Sequence, residues 1–312
     1  MKRKVILDMD PGIDDALAII LACNSPELEV LGITIVSGNV HADKGAINAL
    51  RTLESIDGMN VPVYIGQKKP LLRELLTAEE IHGSDGLGDS GIPMPRREPE
   101  KKKGVEFIID TVMSHPPKEI TLIATGPLTN IALAFLLEPE ITARIRDLII
   151  MGGAYNLTQF GFGNATPVSE FNIYCDPEAA KIVFHSQANI TAVGLDVTTN
   201  PSAIMNRDLY DSIKKMNTRS AEFVAKICKR LIEFFGEVQL HDPMAVAFAI
   251  DETLFKTTMY EVKIITSDDI TRGQTIVDRR PYPFITKGKP NVDVVCDVDG
   301  PRFLQLFTDR LK

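Results

Sequence analysis

The run Val5-Ile6-Leu7-Asp8-Met9-Asp10-Pro11-Gly12-Ile13-Asp14-Asp15-Ala16 decides how the rest of the chain is read. Its opening residues are apolar, as a buried strand requires; Pro11-Gly12 breaks that strand, and apolar residues resume from Ile13 at helical spacing. The same run sets four carboxylates within eight residues. Repulsion among several partly buried carboxylates raises their pKa values or demands a cation, and an oxygen-only ligand set suits Ca²⁺ or Mg²⁺ rather than zinc. In a parallel sheet the turn falls at the carboxyl edge of a strand, where open α/β sheets place their ligands. Helix capping, for which Asp is favoured, accounts for one or two of the four and leaves the others unexplained.

Outward from this run, short β-branched segments alternate with helical ones. Strands are predicted at 5–10, 29–37, 61–66, 120–125, 148–153 and 189–197, and helices at 14–24, 42–56, 104–115, 127–137 and 177–186. Such alternation implies right-handed βαβ crossovers and a mainly parallel sheet with helices on both faces. Beyond Pro201 the pattern turns helical, at 202–216, 219–237 and 243–250. Strand-like runs at 260–266, 275–279 and 292–298 and a closing helix at 301–311 complete a C-terminal helical and small β elaboration. No linker, repeat or low-complexity tract divides the chain, so 1–312 reads as one domain. The charged, proline-bearing stretch 67–103 is the main loop, either a surface excursion or a flap over a site.

Composition narrows the function classes. The 34 Lys and Arg against 42 Asp and Glu give a net charge of -8, which disfavours a phosphate-backbone partner and suits a small-molecule enzyme. Four scattered cysteines form no CxxC pair, so neither a zinc cluster nor a disulfide framework is signalled, and reduced thiols in a cytoplasmic protein are expected. The basic start reaches Asp8 after three apolar residues, far short of a signal-peptide core or a membrane span; export and membrane insertion are not expected.

The run from Asp8 to Ala16 resembles the N-terminal signature of the inosine-uridine nucleoside hydrolase family. The resemblance continues, in the family order, through Ala124-Thr125-Gly126-Pro127-Leu128-Thr129-Asn130, Ile150-Met151-Gly152-Gly153, Glu170-Phe171-Asn172-Ile173-Tyr174-Cys175-Asp176-Pro177, Gly194-Leu195-Asp196-Val197-Thr198 and His241-Asp242-Pro243. It implies a Rossmann-like α/β fold, a homo-oligomer (dimer or tetramer), and hydrolysis of the bond between ribose and a nucleobase. It further implies that Asp10, both oxygens of Asp15, the carbonyl of Thr125 and Asp242 bind Ca²⁺, with Asp10 also the general base. Asp14, Asn39, Asn164, Glu170 and Asn172 would hold the ribose, with Met151 below the ring; such a mixture of donors and acceptors satisfies sugar hydroxyls and rejects a deoxy-sugar. Glu170 and Asn172 flank Phe171, and in an extended segment residues i and i+2 face one side. The stretch 154–164 is longer and more aromatic than the simplest family pattern, which leaves Asn156 as the alternative to Asn164.

The reaction implied passes through a sugar cation, and a histidine at the mouth of the site is the natural proton donor to the departing base. His241, preceding Asp242, is expected in that role, and His82, in the long loop, is expected on the base side; His115 and His185 end helices and read as structural. Trp is absent, whereas the purine-specific branch of the family stacks the base between indoles. Pyrimidine ribonucleosides are therefore the expected substrates, with inosine next. Two rival readings remain: a Mg²⁺-dependent phosphohydrolase of the haloacid-dehalogenase type with Asp8 as nucleophile, and a nucleoside-binding protein without turnover.

Overall fold

The computed structural model describes residues 2–56, 60–267, 269–281 and 288–312; Met1, part of the basic lead-in, lies outside them. In chain order the strands are β1 (Arg3–Met9), β2 (Leu28–Ile35), β3 (Val63–Ile65), β4 (Ile120–Ala124), β5 (Asp147–Met151), β6 (Ile190–Val193), β7 (Met205–Asn206), β8 (Glu237–Val238), β9 (Phe255–Tyr260), β10 (Val262–Ile264), β11 (Thr275–Val277) and β12 (Val292–Val298). The helices are α1 (Ile13–Cys23), α2 (Ala42–Ser55), α3 (Glu79–His82), α4 (Gly104–Ser114), α5 (Thr129–Leu137), α6 (Ile141–Arg144), α7 (Phe171–Cys175), α8 (Pro177–Phe184), α9 (Leu195–Thr198), α10 (Arg207–Ile213), α11 (Arg219–Phe235), α12 (His241–Ile250) and α13 (Gly300–Asp309).

Eight strands make one sheet in the order β3-β2-β1-β4-β5-β6-β12-β9. Every neighbouring pair is parallel except β12 and β9. Side chains alternate across each strand, so β1 feeds both cores. Val5, Leu7 and Met9 pack with α1, α2, α11 and α12 on one face, and Ile6 packs with α4, α5 and α8 on the other. Leu17, Ile20 and Leu21 of α1 are fully buried, each contributing about 1.5–3 kcal/mol by leaving water. Chain order reverses between β1 and β4, and this switch point opens a crevice at the carboxyl edge.

Three predicted elements differ from those observed. The strand expected over 189–197 stops at Val193, because Gly194 starts the short helix α9. The helix expected over 202–216 is broken into a 3₁₀ turn at Pro201–Ala203, strand β7 and helix α10, the last capped by Asn206. The strand expected at 260–266 is shortened to β10, Val262–Ile264, and the strand before it, β9, is not among those expected, since its inner residues Lys256 to Met259 are exposed and carry no apolar alternation. With β12 it extends the main sheet, so the C-terminal β elaboration is confined to the pairs β7–β8 and β10–β11.

Candidate active site

Asp10 leaves the end of β1 and is fully buried. Its Oδ2 accepts the Asn39 backbone N–H at 2.6 Å. A Cβ on Gly38 would stand 2.0 Å from that oxygen, and one on Gly126 would stand 2.7 Å from Oδ1, so the loops after β2 and β4 close on the carboxylate only because both residues lack a side chain. Asp15, in the first turn of α1, accepts from Gly12 N (2.9 Å) and Asn39 Nδ2 (3.1 Å) on one oxygen and from Thr125 Oγ1 (3.0 Å) on the other. Asp242 enters from the start of α12. One oxygen from each of Asp14, Asp15 and Asp242 lies within 4.8 Å of the others.

The electrostatics of this cluster are unfavourable for bare carboxylates. Burial, reinforced by the Asp15 charge, holds Asp10 well above the usual carboxylate range. Burial followed by the charges of Asp14, Asp15 and Asp10 does the same to Asp242. Asp14 and Asp15 are pushed up to about 6, chiefly by burial. Asp10 Oδ1, Asp14 Oδ1 and Asp242 Oδ2 are all buried with no hydrogen-bond donor among the described residues. Ionised carboxylate oxygens accept only, so the meeting of Asp14, Asp15 and Asp242, two of them carrying a donorless oxygen, fits a hard cation; Asp10, whose charge acts on Asp242, lies outside that 4.8 Å group. The Thr125 carbonyl accepts Asn172 Nδ2 at 2.7 Å, and a carbonyl keeps a second lone pair for a further partner.

Across the crevice, Glu170 receives three backbone N–H groups, from Gly153 (3.1 Å), Asn172 (2.8 Å) and Ile173 (3.1 Å). Burial is the largest influence on its carboxyl and raises its pKa. Glu170 is the N-cap of α7, so Phe171 and Asn172 are helical. This corrects the extended geometry expected for the segment: the capping carboxylate starts a helix there, and Phe171 lines the crevice beside Glu170 and Asn172 instead of turning away. Asn164 reaches the same wall, its Oδ1 accepting Phe171 N at 2.9 Å. Asn156 does not line the crevice and takes a left-handed backbone, φ 53°. The loop between them is tied down by Asp196, which accepts from the backbone N–H groups of Tyr155, Leu157 and Thr158.

His82, at the end of α3, and His241, at the start of α12, both border the crevice. Burial lowers both to about 4, with the neighbouring His82 adding to the effect on His241. A standing imidazolium at neutral pH, the form expected of the proton donor, is thus not what the site holds; desolvation keeps both rings neutral. His241 Nδ1 contacts Thr198 Oγ1 at 2.8 Å, leaving Nε2 as its other polar atom. Asp8 does not reach the crevice. It projects on the α5 side, held by Thr34 Oγ1 at 2.5 Å and Asn130 Nδ2 at 2.8 Å, which removes the nucleophile that a haloacid-dehalogenase reading needs. His115 and His185 cap α4 and α8 through bonds to Thr111 and Lys181 carbonyls.

The crevice encloses about 400 Å³; Asp14, Asn39, Thr125, Met151, Asn172 and Asp242 line it with the residues already placed, and Ala78, Ile81, Leu231, Phe235 and Gln239 complete its other wall. Asp10 and Asp15 lie behind that lining. Phe235 continues the stripe of Cys228 and Leu231 along α11, yet it is 61 % exposed because the helix has run past the core and over the opening. An aromatic that keeps helical register beyond the end of a core face was the available signal. Ile81 and Gln239 carried none, since only the fold brings 78–82 opposite 231–239.

Comparison with known proteins accords with this arrangement. The family model for inosine-uridine preferring nucleoside hydrolases matches residues 5–305. An inosine-uridine preferring nucleoside hydrolase of Leishmania major is 41% identical, covering 100% of this chain and 98% of its own length. A pyrimidine-specific ribonucleoside hydrolase of Salmonella arizonae is 40% identical over 100% of this chain and 99% of its own. Among solved structures, a purine-preferring ribonucleoside hydrolase from Gardnerella vaginalis superposes with a TM-score of 0.89 at 36% identity, covering 99% and 98% of the two chains. A plant nucleoside hydrolase reaches 0.90 at 33%, covering 100% and 99%.

Proposed function

The chain belongs to the inosine-uridine preferring nucleoside hydrolase family and hydrolyses the N-glycosidic bond of ribonucleosides, and from that premise we propose how its own residues do so and on which substrates. The observation that carries the proposal is the meeting of one carboxylate oxygen from each of Asp14, Asp15 and Asp242 within 4.8 Å, with Asp10 buried and near enough for its charge to raise Asp242. We take Asp10, Asp15, Asp242 and the Thr125 carbonyl as the ligands of Ca²⁺. When bound, such an ion supplies the positive charge that keeps these carboxylates ionised and draws water and sugar hydroxyls to one point.

Around that point the chain's own groups divide the work. Asp14, Asn39, Asn164, Glu170 and Asn172 orient the ribose through its hydroxyls, and Met151 packs beneath it. Asp10 takes the proton of the attacking water; its Oδ1 accepts no hydrogen bond among the described residues. The two loops that close on Asp10 at Gly38 and Gly126 fix its carboxylate for that transfer. Positive charge developing on the sugar is met by the acidic cluster. The base departs toward His82, His241, Ile81 and Phe235, and the minor protonated fraction of His241, the stronger acid for its lowered pKa, passes it a proton from Nε2. Direct attack by water inverts C1′.

We propose pyrimidine ribonucleosides as the preferred substrates and inosine as a further one. The rim offers Phe171 and Phe235 but no indole, and a phenyl wall of that size suits a single ring. The relatives' names span pyrimidine-specific, inosine-uridine and purine-preferring enzymes, so the assignment rests on this pocket. We further read 1–312 as one domain acting in the cytoplasm as a homo-oligomer; among the described residues no helix is long and apolar enough to cross a membrane. The test is reducing-sugar release from uridine, cytidine, inosine and adenosine, with and without chelator. Cation-dependent release, fastest from uridine or cytidine, is expected; a strict preference for adenosine refutes the substrate assignment, and release indifferent to chelator refutes the metal.

A further inference from the structure

Helix α1 begins without a side chain to cap it, since its N-cap residue is Gly12. The first N–H groups of a helix need acceptors from elsewhere. Gly12 N–H is taken by Asp15 Oδ2 at 2.9 Å. Ile13 N–H is taken by His82 Nδ1 at 3.1 Å, from a residue 69 positions along the chain. The approach depends on Gly12, where a Cβ would meet His82 Nδ1 at 2.6 Å.

An imidazole nitrogen accepts a hydrogen bond only through its bare lone pair. A backbone N–H cannot reverse its role, so this contact fixes which nitrogen of His82 carries hydrogen. The acidic oxygen that faces Nδ1, Asp14 Oδ1, stands 3.9 Å away, beyond hydrogen-bond reach, and Asp15, whose charge also acts on the ring, spends its oxygens on Gly12, Asn39 and Thr125. His241 differs: its Nδ1 faces the Thr198 hydroxyl, which donates or accepts by rotation, so neither tautomer is imposed.

We propose that His82 is a tautomer-locked hydrogen-bond donor, presenting Nε2–H to a lone-pair acceptor on the departing base while Nδ1 stays bound to the start of α1. It binds and polarises the base without moving a proton, and His241 alone is free to move one. This assignment rests on the nucleoside reading of the crevice.

Two measurements test it. In long-range ¹H–¹⁵N spectra of the full chain with Ca²⁺, the His82 resonances, identified by their loss in His82→Gln, should show hydrogen on Nε2 and none on Nδ1; hydrogen on Nδ1 overturns the proposal. In steady-state kinetics on uridine, His82→Gln, whose amide offers an acceptor oxygen and a donor nitrogen, should keep kcat/KM within about tenfold of the parent. His82→Leu should fall a further tenfold or so, the worth of about one hydrogen bond. Equal loss in both variants overturns the donor role. A parent that releases no ribose from any nucleoside sinks the reading of the crevice instead, and the spectrum still decides the tautomer.

Discussion

Removing the divalent cation should destabilise this protein more at high pH than at low pH, and the acidic cluster sets the size of the effect. The perturbation is chelation across a series from about pH 4 to about pH 8, followed by thermal melts with and without excess Ca²⁺. Without the ion, burial pushes Asp14 and Asp15 up to about 6 from the ordinary 3.8. A folded-state pKa above the unfolded one means that the native protein holds protons the unfolded chain has released. Stability from these groups is therefore full below about pH 4 and is lost as pH rises through about 6. At about 1.4 kcal/mol per unit, Asp14 and Asp15 each forfeit roughly 3 kcal/mol over that window. With the ion bound the carboxylates are ionised in the native state already and the loss is cancelled. At roughly 2 °C per kcal/mol, the gap between the two melting curves should widen by on the order of 10 °C from the acid to the alkaline end. Groups remote from the cluster titrate equally in both series and drop out of the difference. A gap that is constant, or that narrows as pH rises, would refute the argument that repulsion among these carboxylates is what the cation relieves.

Three further outcomes are expected. Asp10→Asn should lower kcat by about 10²–10⁴, the usual worth of a general base, while the melting temperature in chelator rises because one buried charge is gone; unchanged turnover in a sugar-release assay would show the wrong base has been named. Gly38→Ala, whose Cβ would sit 2.0 Å from Asp10 Oδ2, should cost about 1–3 kcal/mol by overpacking and displace the carboxylate, and a variant with wild-type turnover and denaturation midpoint would contradict that. NMR of freshly released ribose should show inversion at C1′; retention would point to a covalent intermediate that no residue here has been assigned.

Much of the fold was legible because α/β periodicity is local. The strand at 292–298 and the helices after β1 and β2 follow from apolar spacing alone. The errors fall where a capping or turn residue overrides that spacing. Gly194 ends β6 early, Asn206 starts α10 late, and Glu170 turns an expected extended segment into α7. In each case one residue satisfies orphan backbone N–H groups, or frees the chain to turn, at a point where periodicity favoured continuation. The acidic cluster could be read from its cost, since four carboxylates around one turn need an explanation. The base-side wall could not, because Ile81 and Phe235 owe their nearness to the packing of a long loop against α11: Arg230 of α11 binds Asp89 Oδ2 and the Glu80 carbonyl, both at 3.2 Å.

The start of α1 shows why the structural and chemical roles of this site cannot be separated. A capped helix normally spends a Ser, Thr or Asp at its N-cap, and here Gly12 leaves that duty to groups that also serve the crevice. Asp15 takes the Gly12 N–H and His82 takes the Ile13 N–H, while the positive end of the helix dipole favours the carboxylates of Asp14 and Asp15 and disfavours a charged imidazole. A side chain at position 12 able to cap the helix itself would expel His82, whose Cε1 would lie 2.8 Å from the new Cβ. Gly12→Ser should therefore weaken uridine hydrolysis to about the level of His82→Leu, and combining the two should cost little more than either alone. Additive losses would mean that Gly12 and His82 act independently, and that the ring's position owes nothing to the uncapped helix.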